Sequence, residues 1–106
     1  MSLLGTLVKV CSLSELPPGS MKGIEHDGKR ILVVNLEGTI YAWDGTCTHE
    51  EYDLSMGFLT GDSVTCALHL SRFNLLTGEA VNPPAEKPLG KHQVKVADGD
   101  IFVELG

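Results

Sequence analysis

Residues 21–43 read Met21-Lys-Gly-Ile-Glu-His26-Asp27-Gly28-Lys-Arg30-Ile-Leu-Val-Val-Asn-Leu36-Glu37-Gly38-Thr39-Ile-Tyr-Ala-Trp43. Met21 to His26 and Arg30 to Leu36 read as strands, the second rich in aliphatic residues. Asp27-Gly28 between them is a type I′ turn pair, in which both central residues take positive φ. Glu37-Gly38 leads in the same way into Thr39 to Trp43. No window sustains the 3.6-residue period of an amphipathic helix, so the stretch predicts successive antiparallel hairpins. The same signals recur outward. Leu7 to Leu13 predicts a first strand, Pro17-Pro18-Gly19 a turn, and Asp98-Gly99 joins His92–Ala97 to Ile101–Glu104. Ser71 to Leu76 reads as a further strand closed by Thr77-Gly78, and Asn82-Pro83-Pro84 as a stiff loop. The fold class is all-β, with the outer segments forming a sandwich or barrel base.

At 106 residues and 42% apolar content, the chain predicts one domain, 1–106, with one core and no repeat or linker. Eight basic against 14 acidic residues give a net charge of −6, which argues against nucleic acid and anionic membranes and for a partner with a basic face. The longest uninterrupted aliphatic run is Ile31 to Val34, and Met1 to Lys9 lacks a charged start followed by a long apolar stretch. Neither a membrane span nor a signal peptide is visible, and a cytoplasmic protein is expected. Three cysteines cannot form a closed disulfide set, which fits a reducing compartment. Cys11, in an alternating segment, reads as a small buried hydrophobe.

The chemistry lies in the middle. Cys47-Thr48-His49 and Cys66-Ala67-Leu68-His69 are separated by residues 50–65, enough to leave one loop, run a short strand and return with the second loop beside the first. Asp44-Gly45 precedes the first pair and Val64-Thr65 leads into the second, so both sit at the tips of strand-connecting loops. Two thiolates and two imidazoles can hold a tetrahedral zinc. Zinc modules, however, usually group like ligands, with the histidines on a helix, whereas each loop here gives one Cys and one His. The alternative is a [2Fe–2S] cluster with two Cys on one iron and two His on the other. Its oxidised core charge of +2 is cancelled by two thiolates, so the site changes only between about 0 and −1 on reduction. No nucleophile, base and orienter constellation remains once these residues bind metal, and four protein ligands leave no open position for a substrate.

The two ligand pairs, followed by Ser71-Arg72-Phe73, by Thr77-Gly78-Glu79-Ala80 and by Pro83-Pro84, resemble the Rieske [2Fe–2S] family over essentially the whole chain. The likeness is greatest to the small Rieske-type ferredoxins of bacterial aromatic-ring dioxygenase systems. The resemblance implies a six-strand base with an inserted cluster-binding subdomain at approximately 45–84 and a proline-containing loop beside the cluster. It further implies Cys47 and Cys66 on the inner iron, His49 and His69 on the outer iron, and a Ser71 hydroxyl donating to cluster sulfur. High-potential members carry an extra bridged cysteine in each loop, where this chain has Tyr52 and Leu68, and a tyrosine where it has Phe73. One sulfur hydrogen bond is thereby absent, and the expected potential lies in the lower half of the roughly −150 to +300 mV range of Rieske centres. The implied function is a one-electron carrier, not itself an enzyme, between a flavin-containing reductase and a terminal ring-hydroxylating oxygenase. A monomer is expected. The alternatives are the small Rieske subunit of a nitrite reductase-like enzyme and a structural zinc module.

Outside the motif, His26 and His92 read as ordinary surface or turn residues, and Trp43 as core or loop anchor. Asp44, Glu50, Glu51, Asp53 and Asp62, with no Lys or Arg between 44 and 62, read as a solvated loop surface. Their functional alternative is electrostatic steering of a partner.

Overall fold

The computed structural model describes residues 6–46, 53–67, 71–81 and 88–105. Nine strands are defined among them: β1 (Thr6–Ser12), β2 (Met21–His26), β3 (Lys29–Leu36), β4 (Thr39–Asp44), β5 (Phe58–Thr60), β6 (Ser63–Thr65), β7 (Arg72–Asn74), β8 (Lys91–Ala97) and β9 (Asp100–Leu105). Short 3-10 turns occupy Leu13–Glu15 and Leu54–Met56. A six-stranded antiparallel sheet runs β1-β9-β8-β4-β3-β2, and a second sheet runs β5-β6-β7. No helix among the described residues is long and apolar enough to cross a membrane.

The all-β expectation holds, and its hairpin turns hold in detail. Asp27-Gly28 (φ 51° and 79°), Glu37-Gly38 (54° and 99°) and Asp98-Gly99 (53° and 78°) each place two successive residues in the left-handed region. Two positive-φ residues give a turn whose twist matches that of the flanking strands. The first strand ends at Ser12, because Leu13 opens a 3-10 turn with Ser12 and Glu15 hydrogen-bonded to one another at its start. That turn holds the Glu15 carboxyl below its ordinary value, the bond from the Ser12 backbone N–H being the main cause. Between the ligand pairs the single short strand expected is a 3-10 turn plus the β5–β6 hairpin. The strand expected over 71–76 is confined to Arg72–Asn74. Asn74 Oδ1 accepts the backbone N–H groups of Leu76 (2.7 Å) and Thr77 (3.2 Å), which turns the chain out of the sheet.

Strand β3 is shared between two cores. Leu32, Val34 and Leu36 pack with Trp43 and with Leu54, Val64, Cys66, Phe73, Leu75 and Leu89 of the smaller sheet and its loops. Ile31 and Val33, pointing the other way, pack with Cys11, Leu16, Ala42, Ile101 and Val103 inside the curl of the larger sheet. The curl has visible causes. Strand β1 carries a bulge between Lys9 and Cys11, which sharpens local twist. Strand β8 pairs with β4 only at Ala42–His92 and Trp43–Lys91, then runs with β9 from Gln93 onward. Gly38→Ala places a side chain at φ 99° and is expected to lower stability by about 1 kcal/mol or more. The urea midpoint should fall with an unchanged slope, and an unaltered midpoint would contradict this reading of the turn.

Candidate metal centre

Of the four motif residues, Cys66 lies within the described residues, while Cys47, His49 and His69 lie outside them. Cys66 is 0% exposed, at the end of β6 in the core with Val64, Phe73 and Leu75. Its N–H donates to the Ser71 carbonyl at 2.7 Å, closing the neck of the second loop. Ser71, the candidate donor to the cluster, is also 0% exposed. Phe73 is buried in the same core, so the position that could carry a phenol hydroxyl carries only hydrocarbon.

The first loop is closed in the same manner. Thr46 and Asp53 form an antiparallel bridge, Leu54 N–H donates to Gly45 O at 2.8 Å, and Gly45 N–H donates to Arg30 O at 2.8 Å. Residues 47–52, with Cys47 and His49, therefore leave and rejoin the fold at one point. Asp53 is not the solvated acid expected: half-buried, it accepts the Ser55 N–H (2.9 Å) and hydroxyl (2.7 Å) and caps the 3-10 turn. A side chain at Gly57 would collide with the Thr65 carbonyl, so the exit of the first loop lies directly against the residue preceding Cys66. The two necks are neighbours, as the 16-residue spacing predicted.

Behind the necks, one clamp joins the smaller sheet to the larger and a second closes a seam within the larger sheet. Trp43 Nε1–H donates to Leu75 O at 3.0 Å inside the core, and Gly78 (φ 82°) lies under the indole where no Cβ fits. The sequence reading of Trp43 as core or anchor holds on both counts. Asp44 forms the second clamp. Its N–H donates to Gly90 O (2.8 Å), its Oδ2 accepts Gly90 N–H (3.2 Å), and its Oδ1 lies 2.7 Å from His92 Nε2. This adds a rung to the brief β4–β8 seam and ties the approach to Cys47 to the chain returning from residues 82–87. His92 is thus not an ordinary surface residue: its side chain is only 15% exposed, and its partner lies 48 positions away. His26, beside the exposed Asp27 at 3.4 Å, is the surface residue expected. Cys11 is buried far along the chain from the motif, and burial pushes its thiol up.

Among the described residues no three Cys, His, Asp or Glu side chains gather, because three of the four motif donors lie outside them. The donor chemistry still discriminates. A sulfur donor buried among hydrocarbon, as Cys66 is, suits the inner, water-excluded side of a cluster. The residues fit a [2Fe–2S] group. For the Asp44 clamp, half-exposure of the carboxylate limits the pair to roughly 0.5–1 kcal/mol. A double-mutant cycle of Asp44→Ala and His92→Ala should return a coupling of that size, and strictly additive losses would show the pair to be inert.

The family description "Rieske [2Fe-2S] domain" matches residues 6–98. The biphenyl dioxygenase ferredoxin subunit of Pseudomonas sp. (strain KKS102) is 36% identical over 101 residues, covering 94% of this chain and 93% of that one. The ferredoxin component of biphenyl 2,3-dioxygenase of Rhodococcus jostii (strain RHA1) is 40% identical over 99 residues, covering 93% and 92%. The solved ferredoxin of carbazole 1,9a-dioxygenase from Nocardioides aromaticivorans IC177 superposes with a TM-score of 0.88 at 31% identity, covering 95% of this chain and 99% of its own. A chain in the complex of reduced oxygenase and oxidized ferredoxin in carbazole 1,9a-dioxygenase gives a TM-score of 0.88 at 34% identity, covering 92% of each. The matched sequence and fold, with buried Cys66 at the neck of one ligand loop, establish that the chain belongs to the Rieske [2Fe–2S] domain family.

Proposed function

We propose that this protein is a Rieske-type ferredoxin that takes one electron at a time from a flavin-containing reductase to a terminal ring-hydroxylating oxygenase. The observation that carries the reading is end-to-end similarity to ferredoxin components, over more than nine-tenths of both chains. These relatives favour a free carrier over a nitrite reductase subunit, and the family holds one [2Fe–2S] cluster rather than a structural zinc. The protein is therefore an electron-transfer component, and catalysis belongs to the oxygenase. Working as a monomer in the reducing cytoplasm completes the reading.

Within it, the cluster-binding unit spans approximately residues 45–84 of a single domain, 1–106. Cys47 and Cys66 are the thiolate ligands and His49 and His69 the imidazole ligands. When bound, the cluster supplies a reversible one-electron site whose charge changes by one unit. With the cluster bound, the buried Ser71 hydroxyl would donate to its sulfur, and buried Phe73 would exclude water without donating. The closed necks fix where each ligand loop leaves and rejoins the fold. With Leu68 and Tyr52 at the bridging positions, hydrogen bonds and packing serve where other family members use a disulfide.

The purified protein should be brown and, once reduced, give an EPR spectrum with an average g below that of all-cysteine clusters. It should also pass electrons to terminal oxygenases of the biphenyl or naphthalene type; a reduced protein that serves none of them would refute the carrier role. Voltammetry should place the potential in the lower half of the roughly −150 to +300 mV span. Ser71→Ala and His69→Cys should each lower it further, the second much more, because a thiolate adds a negative charge. A potential unmoved by His69→Cys in a protein that retains its cluster would remove His69 from the ligand set.

A further inference from the structure

The outer face of the smaller sheet carries a row of side chains that the electron-carrier reading does not use. Phe58 lies opposite Thr65, and Thr65 opposite Arg72. Val81 N–H donates to Arg72 O at 2.7 Å next to the Phe73–Ala80 bridge, which sets Val81 opposite Arg72. Residues directly opposite on antiparallel strands project to the same face. The neighbouring rung, Leu59, Val64, Phe73 and Ala80, faces the core, so Phe58, Thr65, Arg72 and Val81 line the outside. Phe58 is 57% exposed and Val81 49%, and Met56, two residues before Phe58, is 66% exposed.

Single exposed apolar residues are ordinary, whereas exposed apolar groups gathered on one face mark candidate interaction sites. Arg72 is the sole Lys or Arg between Arg30 and Lys87. The same segment holds eight Asp or Glu, of which Glu79 lies at the edge of this face on the rung of Asn74. The row also stands at the base of the second ligand loop. Thr65 immediately precedes Cys66, Arg72 immediately follows Ser71, and Phe58 follows Gly57 at the neck of the first loop. The row is thus continuous along the chain with the necks of both ligand loops.

We propose that the Phe58–Thr65–Arg72–Val81 row is a docking surface for the terminal oxygenase, resting on the carrier reading above. The partner's face is an apolar patch with a carboxylate for Arg72 inside a basic rim. The apolar ends supply burial, and the lone guanidinium fixes register through a directional pair with that carboxylate. The surrounding acids select a basic rim and reject an acidic one. The oxygenase is the occupant because the carbazole ferredoxin of this fold is solved in complex with one.

The test uses the cluster-loaded protein, with the terminal oxygenase of a biphenyl dioxygenase system as probe. Apparent Kd and electron-transfer rate are measured for the unmodified chain, for Phe58→Ser with Val81→Ser, for Arg72→Gln, and for Leu7→Ser, an exposed apolar control on β1 at the edge of the larger sheet. The paired serine variant should raise Kd at least tenfold with the potential and visible spectrum unchanged, Arg72→Gln should raise it severalfold, and Leu7→Ser should leave it alone. On the unmodified protein, amide exchange at residues 57–60 and 79–81 should slow when the oxygenase is added. A Kd within twofold for the serine variant, or exchange unchanged at those residues, overturns the proposal. Loss of reductase affinity with oxygenase affinity intact overturns it in favour of the reductase as occupant. An unmodified chain that reduces no oxygenase overturns the carrier reading and this surface with it.

Discussion

Burial of β3 on both faces is the constraint from which the rest of the molecule follows. A strand of alternating polarity can close only one core; Ile31 to Leu36 closes two, with odd and even positions committed to opposite sides. That shared wall holds the smaller sheet against the larger, and each ligand loop projects from a strand or turn rooted in the core that Leu32, Val34 and Leu36 complete. The Trp43 and Asp44 clamps act at the margins of the same wall, where the β4–β8 pairing is only two rungs long and would otherwise open.

An electron carrier asks little of its protein beyond rigidity, exclusion of water and a surface that releases its partner. The closed necks supply the first. Backbone hydrogen bonds of 2.7 and 2.8 Å close the bases of both loops against the core. Burial of Cys66, Ser71 and Phe73 supplies the second. An acidic chain with one cation in its central segment supplies the third, because long-range attraction hastens encounter while short-range contacts remain few.

The sequence was most legible where backbone chemistry leaves little choice. Asp27-Gly28, Glu37-Gly38 and Asp98-Gly99 announced turns that only certain residues tolerate, and the strands on either side followed. The two Cys/His pairs stood out by spacing and residue type, and of their members Cys66 is found buried at the neck of the second loop. The β5–β6 hairpin and the Leu54–Met56 turn were not, because three-residue elements are shorter than any period that could reveal them. The four-residue run Ile31 to Val34 was visible as a strand, but nothing local told that both its faces would be covered. Asp53 and Asp44 read as solvated acids because composition registers charge, not partners. Asp53 turned out to serve the backbone two residues on, and Asp44 to serve a histidine 48 residues away, a contact that only the fold creates.

The division into two cores bears on how a cluster would couple to the rest of the fold. Among the described residues, the core built from Cys11, Leu16, Ile31, Val33, Ala42, Ile101 and Val103 does not include Cys66, and the other core does. A cluster set between the two loops would therefore bear first on the core that holds Cys66, and on the other only through their shared wall, β3.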